Sequence, residues 1–309
     1  MRPDTHIVIT DSGLGGLSIC AALEKNLREA RLAGAVRLTY VNAWPFEDRG
    51  YNDLSDTAAR AAVFDRALVR ISAMQPDRLV IACNTLSILY PYAVFSRNAP
   101  VPVQGIVEAG VGLFADALNA DPTSSIVLLG TKTTIESGVH RDSLVRRGVD
   151  PVRIATVSCH GLAGAIEKNV DGPVASSLLD VCASKAAEAA PPGPLWYAGL
   201  CCTHYAYVAA RLVETLARKS GRRVRTLDPS LRLVSSLMSG ARMLVGRVDG
   251  EGAAGGHRAD TARGEIVVEV ISKVELGESA RRGIAQLVEP VSPATARALL
   301  SYSCVPDLF

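Results

Sequence analysis

The stretch that decides the fold is Leu79-Val80-Ile81-Ala82-Cys83-Asn84-Thr85, a short apolar run that ends in a cysteine and two polar residues. A similar stretch, Tyr197-Ala198-Gly199-Leu200-Cys201-Cys202-Thr203-His204, occurs in the second half of the chain. Each stretch leads into sequence with a helical pattern. A short apolar run bounded by polar residues is typical of a buried strand. The repetition therefore predicts two similar units, each with a strand that ends at a cysteine.

The same alternation extends along the rest of the chain. Apolar runs predict strands at residues 6–10, 36–41, 78–82, 101–106, 125–130, 152–157, 195–200 and 224–227. Amphipathic stretches predict helices at residues 17–29, 56–74, 107–118, 134–147, 174–189, 205–219 and 230–245. A Gly-rich segment at 246–264 predicts a surface loop that contains His257, and residues 265–274 predict one more strand. Strands that alternate with helices favour an α/β fold with mainly parallel sheets flanked by helices.

Composition narrows the classes of function. A chain of 309 residues suggests about two domains, and 48% hydrophobic residues supply a sizeable core. The 33 basic and 31 acidic residues give a formal net charge of +2, which gives no support to a nucleic-acid partner. The apolar windows are too short for a membrane span, and the N-terminal sequence has no signal-peptide pattern. Seven cysteines without a Cys-x-x-Cys pair indicate free thiols, so we expect a cytoplasmic protein.

Polar residues follow four of the predicted strands. Ligands of open α/β sheets bind at the carboxyl ends of the strands, so these residues are the candidate site. The four segments are Asp11-Ser12-Gly13-Leu14-Gly15-Gly16, Cys83-Asn84-Thr85, Gly130-Thr131-Lys132-Thr133-Thr134 and Cys202-Thr203-His204. The first segment matches neither the dinucleotide-binding glycine pattern nor a P-loop. Taken alone, its glycines indicate tight packing between strand and helix, and its aspartate indicates a helix cap.

The two cysteines at strand ends carry the chemical prediction. A single buried cysteine is usually a packing residue. Cys83 and Cys202, however, take corresponding positions in the two predicted units, and each is followed by a residue with an amide or hydroxyl group. His204 lies two residues from Cys202, and Asp11 on a neighbouring strand can join Cys83. Helix N-termini and cationic neighbours make thiolates reactive, so we predict one thiol on each side of a bound substrate.

Together these segments resemble the glutamate racemases of the cofactor-independent aspartate/glutamate racemase superfamily. The matching segments are Thr10–Leu17, Ala82–Thr85, Gly130–Thr131 with Thr134, and Cys202–Tyr205, with a weaker match at Cys159–Glu167. The resemblance runs from about His6 to about Val245. It implies two similar α/β domains with the active site at their interface. Residues 1–106 with 224–309 are expected to form the first domain, and residues 107–223 the second.

The resemblance also implies a role for each matching residue. Cys83 and Cys202 are the catalytic thiols, Asp11 and His204 assist them, and Glu167 lies near His204. The residues expected to bind the substrate are Ser12, Tyr51, Asn52, Asn84, Thr85, Thr131, Thr134 and Thr203. Inversion by proton transfer needs a base on one face of the α-carbon and an acid on the other. We expect no cofactor, no metal and no membrane partner; the partner is an acidic amino acid, and a homodimer fits the family.

Two positions depart from the family pattern. The family's second strand is followed by a Pro-Tyr-Gly segment that lines the substrate, whereas this chain has Gly50-Tyr51-Asn52. The tyrosine is retained, and Asn52 adds a side chain where the family has none. Cys201 stands where the family usually has glycine. Because side chains alternate along a strand, Cys201 is expected to point away from Cys202 and into the packing.

Three functions remain open on the sequence alone. The first is a glutamate racemase that supplies D-glutamate for peptidoglycan. The second is a racemase or epimerase of another acidic or modified amino acid, such as aspartate, which the change at Gly50–Asn52 motivates. The third is a binding or regulatory protein that kept the fold and lost turnover. The presence of both cysteines, Asp11 and His204 disfavours the third, because a degenerate enzyme should have lost at least one of them.

Overall fold

The computed structural model describes residues 5–30, 34–245 and 264–309, without the side chains of residues 240–245. Except for Gly264, the Gly-rich segment that was predicted as a loop, with its His257, lies outside the described residues. The strands are β1 (Thr5–Asp11), β2 (Val36–Asn42), β3 (Arg78–Ile81), β4 (Val103–Gly105), β5 (Ser125–Gly130), β6 (Ile154–Ser158), β7 (Leu195–Cys201), β8 (Arg223–Leu227), β9 (Ile266–Ser272) and β10 (Ser303–Cys304). The α-helices are α1 (Leu17–Glu29), α2 (Thr57–Ser72), α3 (Asn84–Leu89), α4 (Ile106–Ala120), α5 (Lys132–Glu136), α6 (Val139–Arg146), α7 (Leu162–Lys168), α8 (Pro173–Ala189), α9 (Ala209–Ser220), α10 (Ser230–Val245), α11 (Glu278–Val288) and α12 (Pro293–Leu300).

These strands form two sheets, and every pairing in both sheets is parallel. The first has the order β10-β9-β2-β1-β3-β4, and the second has the order β6-β5-β7-β8. Each strand predicted from the sequence agrees with an observed strand to within two residues at either end. The predicted α/β class, with parallel sheets flanked by helices, is confirmed.

The boundary between the two units lies later than predicted. Residue 224 was expected to begin the return to the first unit, but β8 pairs with β7 in the second sheet. Val224 packs against the apolar cluster that also contains Trp196. The chain therefore returns to the first unit after Leu227, because an edge strand belongs to the sheet that supplies its hydrogen bonds.

Central strands are apolar on both faces because helices cover both sides of each sheet. In β1, Ile7 and Ile9 pack into the cluster that contains residues of α1, whereas Val8 packs on the opposite face with Phe64 of α2. Successive side chains of a strand point to opposite faces. A strand covered on both sides therefore reads as a continuous apolar run, as Ile7-Val8-Ile9 do in the middle of β1.

Two predicted helices differ from the observed ones: one is divided in the middle, and the other begins with a 3₁₀ turn. The helix predicted at 134–147 is divided into α5 and α6 at Gly138, whose φ of 69° lies in the left-handed region. The helix predicted at 205–219 begins with the 3₁₀ turn Thr203–Val208 and becomes α-helical only at Ala209. Within the described ranges, no helix has the length and apolarity that a membrane span requires.

Candidate active site

Strands of both sheets end at one cavity, whose volume is about 550 Å³. From the first sheet, Asp11 ends β1 and Cys83 follows β3. From the second sheet, Thr131 follows β5 and Cys202 follows β7. The carboxyl ends of parallel strands meet at one edge of a sheet, and here two such edges supply one cavity. The site was predicted at the interface of the two units. The structure brings the strand-end residues of both units together there.

Cys83 lies in an environment that favours the protonated thiol. It caps α3, where the Leu86 N–H donates to Cys83 Sγ at 3.5 Å, and Ser12 Oγ lies 3.2 Å from the same sulfur. Burial raises the pKa of the Cys83 thiol well above its ordinary value, and the Asp11 carboxylate raises it further. The hydrogen bonds from Ser12 and Leu86 offset only part of this effect. The surroundings of Cys83 therefore favour the protonated thiol over the thiolate.

Cys202 lies beside a cation. Its Sγ is 3.8 Å from His204 Nδ1, and His204 Nε2 lies 2.7 Å from Glu167 Oε2. Burial lowers the pKa of His204, but its hydrogen bonds to Cys202 and Glu167 outweigh burial and hold that pKa well above the usual value. His204 is then an imidazolium, which donates from both ring nitrogens. The Cys202 sulfur is thus a hydrogen-bond partner of a positively charged ring.

Two carboxylates connect the units across the cavity. The Thr203 hydroxyl of the second unit donates to Asp11 Oδ2 of the first at 2.8 Å. In the other direction, the Leu14 N–H of the first unit donates to Glu167 Oε2 of the second at 2.9 Å. Burial raises the pKa of Asp11, and His204 and Thr203 offset part of that rise. Glu167, predicted only as a neighbour of His204, thus also binds the turn that follows β1.

The glycines after β1 allow the two units to approach closely. A Cβ atom on Gly15 would lie 2.3 Å from Thr203 Oγ1 and 2.6 Å from His204 Nδ1. A Cβ atom on Gly16 would lie 2.9 Å from the Cβ of Ala82, as expected for tight packing inside the first unit. The turn therefore needs glycine both for its own packing and for contact with the second unit.

Replacing Gly15 by alanine should destabilise the protein. The added methyl group must displace Thr203 or His204, and overpacking of this kind costs about 1–3 kcal/mol in the free energy of unfolding. Urea unfolding of Gly15→Ala measures this loss. Gly283→Ala is the matched control, because Gly283 lies in α11 and a methyl group added there would meet no atom within 4 Å. The control should be about 0.5–1 kcal/mol more stable than the parent, since alanine favours helix. Equal stability of the two variants would contradict the interpretation.

Three threonine hydroxyls form a cluster at the border between the units. Thr85 Oγ1 lies 3.0 Å from Thr131 Oγ1 and 3.0 Å from Thr134 Oγ1. Thr131 caps α5 by accepting the Thr134 N–H at 3.4 Å. Thr85 and Thr131 line the cavity, whereas Thr134 is buried behind them. Thr134 thus hydrogen-bonds the two threonines that line the cavity, and its predicted contact with the substrate stays a prediction.

Asn84 lines the cavity, and its amide is buried. His140 Nε2 lies 3.1 Å from Asn84 Oδ1. Burial lowers the pKa of His140 to about 4, so the ring is neutral and its Nε2–H donates to the amide oxygen. Asn84 Nδ2 has no partner among the described residues, although Asn84 is buried. An unsatisfied buried donor is costly.

Tyr51 lies behind the cavity wall, and its predicted contact with the substrate stays a prediction. Its ring packs edge-to-face on Phe64, with centroids 6.4 Å apart, inside the apolar cluster that also contains Cys83. The side chain is 2% exposed and does not belong to the cavity lining. The aromatic ring is buried more favourably in this cluster than at a polar wall.

Sequence reasoning missed part of the cavity lining. The additional lining residues include Asn42, Trp44, Glu47, Asp53, His160, Lys168 and the segment 274–277. Asn42 ends β2 and residue 274 closely follows β9, so the strand-end rule would have found both if it had been applied to every strand. Trp44 had no such signal. Its ring fits under Gly50, where a Cβ atom would lie 2.5 Å from Trp44 Cη2.

Cys201 and Cys202 point in opposite directions, as predicted. Cys201 is buried in the cluster that contains Leu128, and Cys202 belongs to the cluster on the other face of the second sheet. Within the part of the chain that the structure describes, no group of three or more His, Cys, Asp or Glu side chains is arranged to hold a metal ion.

Comparisons with known proteins agree with this architecture. A family model described as Asp/Glu/Hydantoin racemase matches residues 7–232. The chain is 30% identical over 232 residues to a glutamate racemase of Granulibacter bethesdensis, covering 74% of this chain and 76% of that protein. It is also 30% identical over 173 residues to a glutamate racemase of Aquifex aeolicus, covering 53% of this chain and 62% of the relative. A glutamate racemase structure from Francisella tularensis in complex with D-glutamate has a TM-score of 0.68 at 18% identity, covering 99% and 98% of the two chains.

Proposed function

This chain belongs to the Asp/Glu/hydantoin racemase family, and on that basis we propose that it is a cofactor-independent racemase that interconverts L- and D-glutamate. In the cell it would supply D-glutamate for peptidoglycan. The observation that carries the proposal is the unlike pair of thiols: Cys83 in surroundings that keep its proton, and Cys202 beside an imidazolium. Inversion at a carbon atom requires this combination of an acid and a base.

The proposed reaction begins with the thiolate of Cys202. It removes the α-proton from one face of the substrate, and the Cys83 thiol delivers its own proton to the opposite face. One C–H bond breaks and another forms, so the α-carbon is inverted and the protonation states of the two sulfurs are exchanged. The reverse reaction begins from this second state, with Cys83 as the base.

Each auxiliary residue favours one protonation state of its cysteine. His204 stabilises the thiolate at Cys202, and Glu167 keeps His204 charged. The Asp11 carboxylate disfavours a thiolate at Cys83 by like-charge repulsion. The α-proton is weakly acidic, so the charge that develops on the substrate carboxylate must be stabilised by fixed donors. Asn84 Nδ2, without a partner among the described residues, and the hydroxyls of Thr85 and Thr131 on the wall are suited to that task.

Glutamate is the favoured substrate because the relatives described above carry that activity in their names. The changed segment Gly50-Tyr51-Asn52 favours a second candidate, another acidic amino acid such as aspartate. Incubating the protein with each enantiomer of glutamate and aspartate in D₂O tests both. We expect NMR to show that the α-proton of glutamate is replaced by deuterium while optical rotation decays to zero. Faster exchange of aspartate would favour the second candidate, and no exchange of any acid would reject racemase activity.

A further inference from the structure

Asn52 connects the two units at a place away from the cysteines. It lies in the 3₁₀ turn Tyr51–Asp53 of the first unit, and it lines the cavity. Its Oδ1 accepts the backbone N–H of Thr133 in α5 of the second unit at 3.2 Å. By contrast, Ser12 is hydrogen-bonded to the sulfur of Cys83, and His204 is hydrogen-bonded to the sulfur of Cys202. Asn52 is therefore part of the cavity wall, and its hydrogen bond goes to Thr133 and not to either sulfur.

The contact with Thr133 fixes the orientation of the Asn52 amide. The two ends of an asparagine side chain are opposite in character, since the oxygen accepts and the NH₂ group donates. A backbone N–H can only donate, so the group that faces Thr133 must be the oxygen, Oδ1. The Nδ2 group of Asn52 then faces away from Thr133, and it makes no hydrogen bond within the described residues. A hydrogen-bond network of this kind decides amide orientation, which atomic positions alone do not.

We propose that Asn52 determines specificity by donating from Nδ2 to the side chain of the substrate, which must end in a hydrogen-bond acceptor such as a carboxylate. This inference rests on the proposed racemase function, because it assigns Asn52 to the part of the substrate that lies beyond the reacting α-carbon. The α-carbon must lie between Cys83 and Cys202 for inversion. The donor of Asn52, held by Thr133 and separate from both sulfurs, is then available to the far end of the same molecule.

Asn52→Asp is the sharpest test, because it reverses the polarity of the free group while keeping its shape. An aspartate can still accept the Thr133 N–H, but its second oxygen repels a carboxylate and accepts from an amide NH₂. We expect the KM for glutamate to rise about ten- to a hundredfold, the range for loss of a hydrogen bond to a charged group, with kcat changed much less. The inhibition constant of glutamine as a competitor should stay the same or fall.

Two further variants keep the test informative. Asn52→Ala removes the donor without adding charge, so KM should rise less than in Asn52→Asp; its thermal midpoint reports whether the turn still folds. Ser55→Ala is the matched control, because Ser55 is exposed on the same segment and its hydroxyl contacts only Asp56. That variant should retain the KM and kcat of the parent protein.

The inference is overturned if KM for glutamate is unchanged in Asn52→Asp, or if KM and the glutamine inhibition constant rise together. The second result would mean that Asn52 holds a group common to both molecules, such as the α-carboxylate. If the proposed racemase function itself is wrong, the parent protein will exchange no α-proton of glutamate. That result differs from both outcomes above, which concern only the Asn52 variants. When turnover is absent, calorimetric dissociation constants for glutamate and glutamine make the same comparison between the parent protein and the Asn52→Asp variant.

Discussion

Replacing either Cys83 or Cys202 by alanine should abolish inversion, with kcat lower by at least about a thousandfold, the upper part of the range for removing a general acid or base. The two sulfurs belong to different sheets and have unlike surroundings, so neither can take the place of the other. Optical rotation of L- and D-glutamate measures the loss. Cys304→Ala is the control, because Cys304 is exposed on β10 and does not line the cavity. It should racemise glutamate at the parent rate.

Exchange with solvent separates the roles of the two thiols. Cys83→Ala retains the Cys202–His204 pair, so it should still exchange the α-proton of the one enantiomer whose proton faces Cys202, without inverting it. Cys202→Ala should exchange only the other enantiomer. NMR in D₂O with each pure enantiomer measures both reactions. Exchange of the same enantiomer by both variants would contradict a mechanism with one thiol on each face, and full racemisation by either variant would reject it.

Removing the cation beside Cys202 should have the second largest effect. His204→Asn keeps a polar side chain but loses the imidazolium, so the thiolate at Cys202 is no longer stabilised. We expect kcat to fall by about a hundredfold or more, the lower part of the range for proton-transfer partners. Asn84→Ala, in contrast, removes the amide proposed to bind the substrate carboxylate and should affect KM as well as kcat. A His204→Asn protein with parent kcat would show that Cys202 does not need the cation.

Glu167→Gln tests the same pair through pH. The carboxylate of Glu167 raises the pKa of His204, so the amide should lower that pKa. The proposed mechanism requires the imidazolium, which is lost as pH rises through its pKa. The alkaline limb of the pH–kcat profile should therefore move to lower pH in the variant. An alkaline limb that stays in place would contradict the assignment of His204 as the charged partner.

Much of the fold could be predicted because it depends on local pattern. The central residues of β1, β5 and β7 are apolar and buried, since helices cover both faces of each sheet. The same reasoning identified Cys83 and Cys202, because strand ends are where parallel sheets place ligands. The predicted boundary at residue 224 was wrong because the short run that became β8 has the same local pattern whichever sheet it joins. Only its pairing with β7 assigns it to the second sheet.

The alternation of apolar runs with amphipathic stretches was enough to predict two units with parallel sheets. The residues that directly follow the apolar runs were enough to identify the strand-end cysteines and their neighbours. Which groups meet across the interface followed only from the folded arrangement of the two units. Leu14 and Glu167 are 153 positions apart, and Asn52 and Thr133 are 81 positions apart, yet each pair is hydrogen-bonded. Tyr51, retained from the family pattern, is turned into the core instead. Such contacts depend on how two folded surfaces pack, and no local pattern of residues encodes the partner that a side chain finds on the other unit.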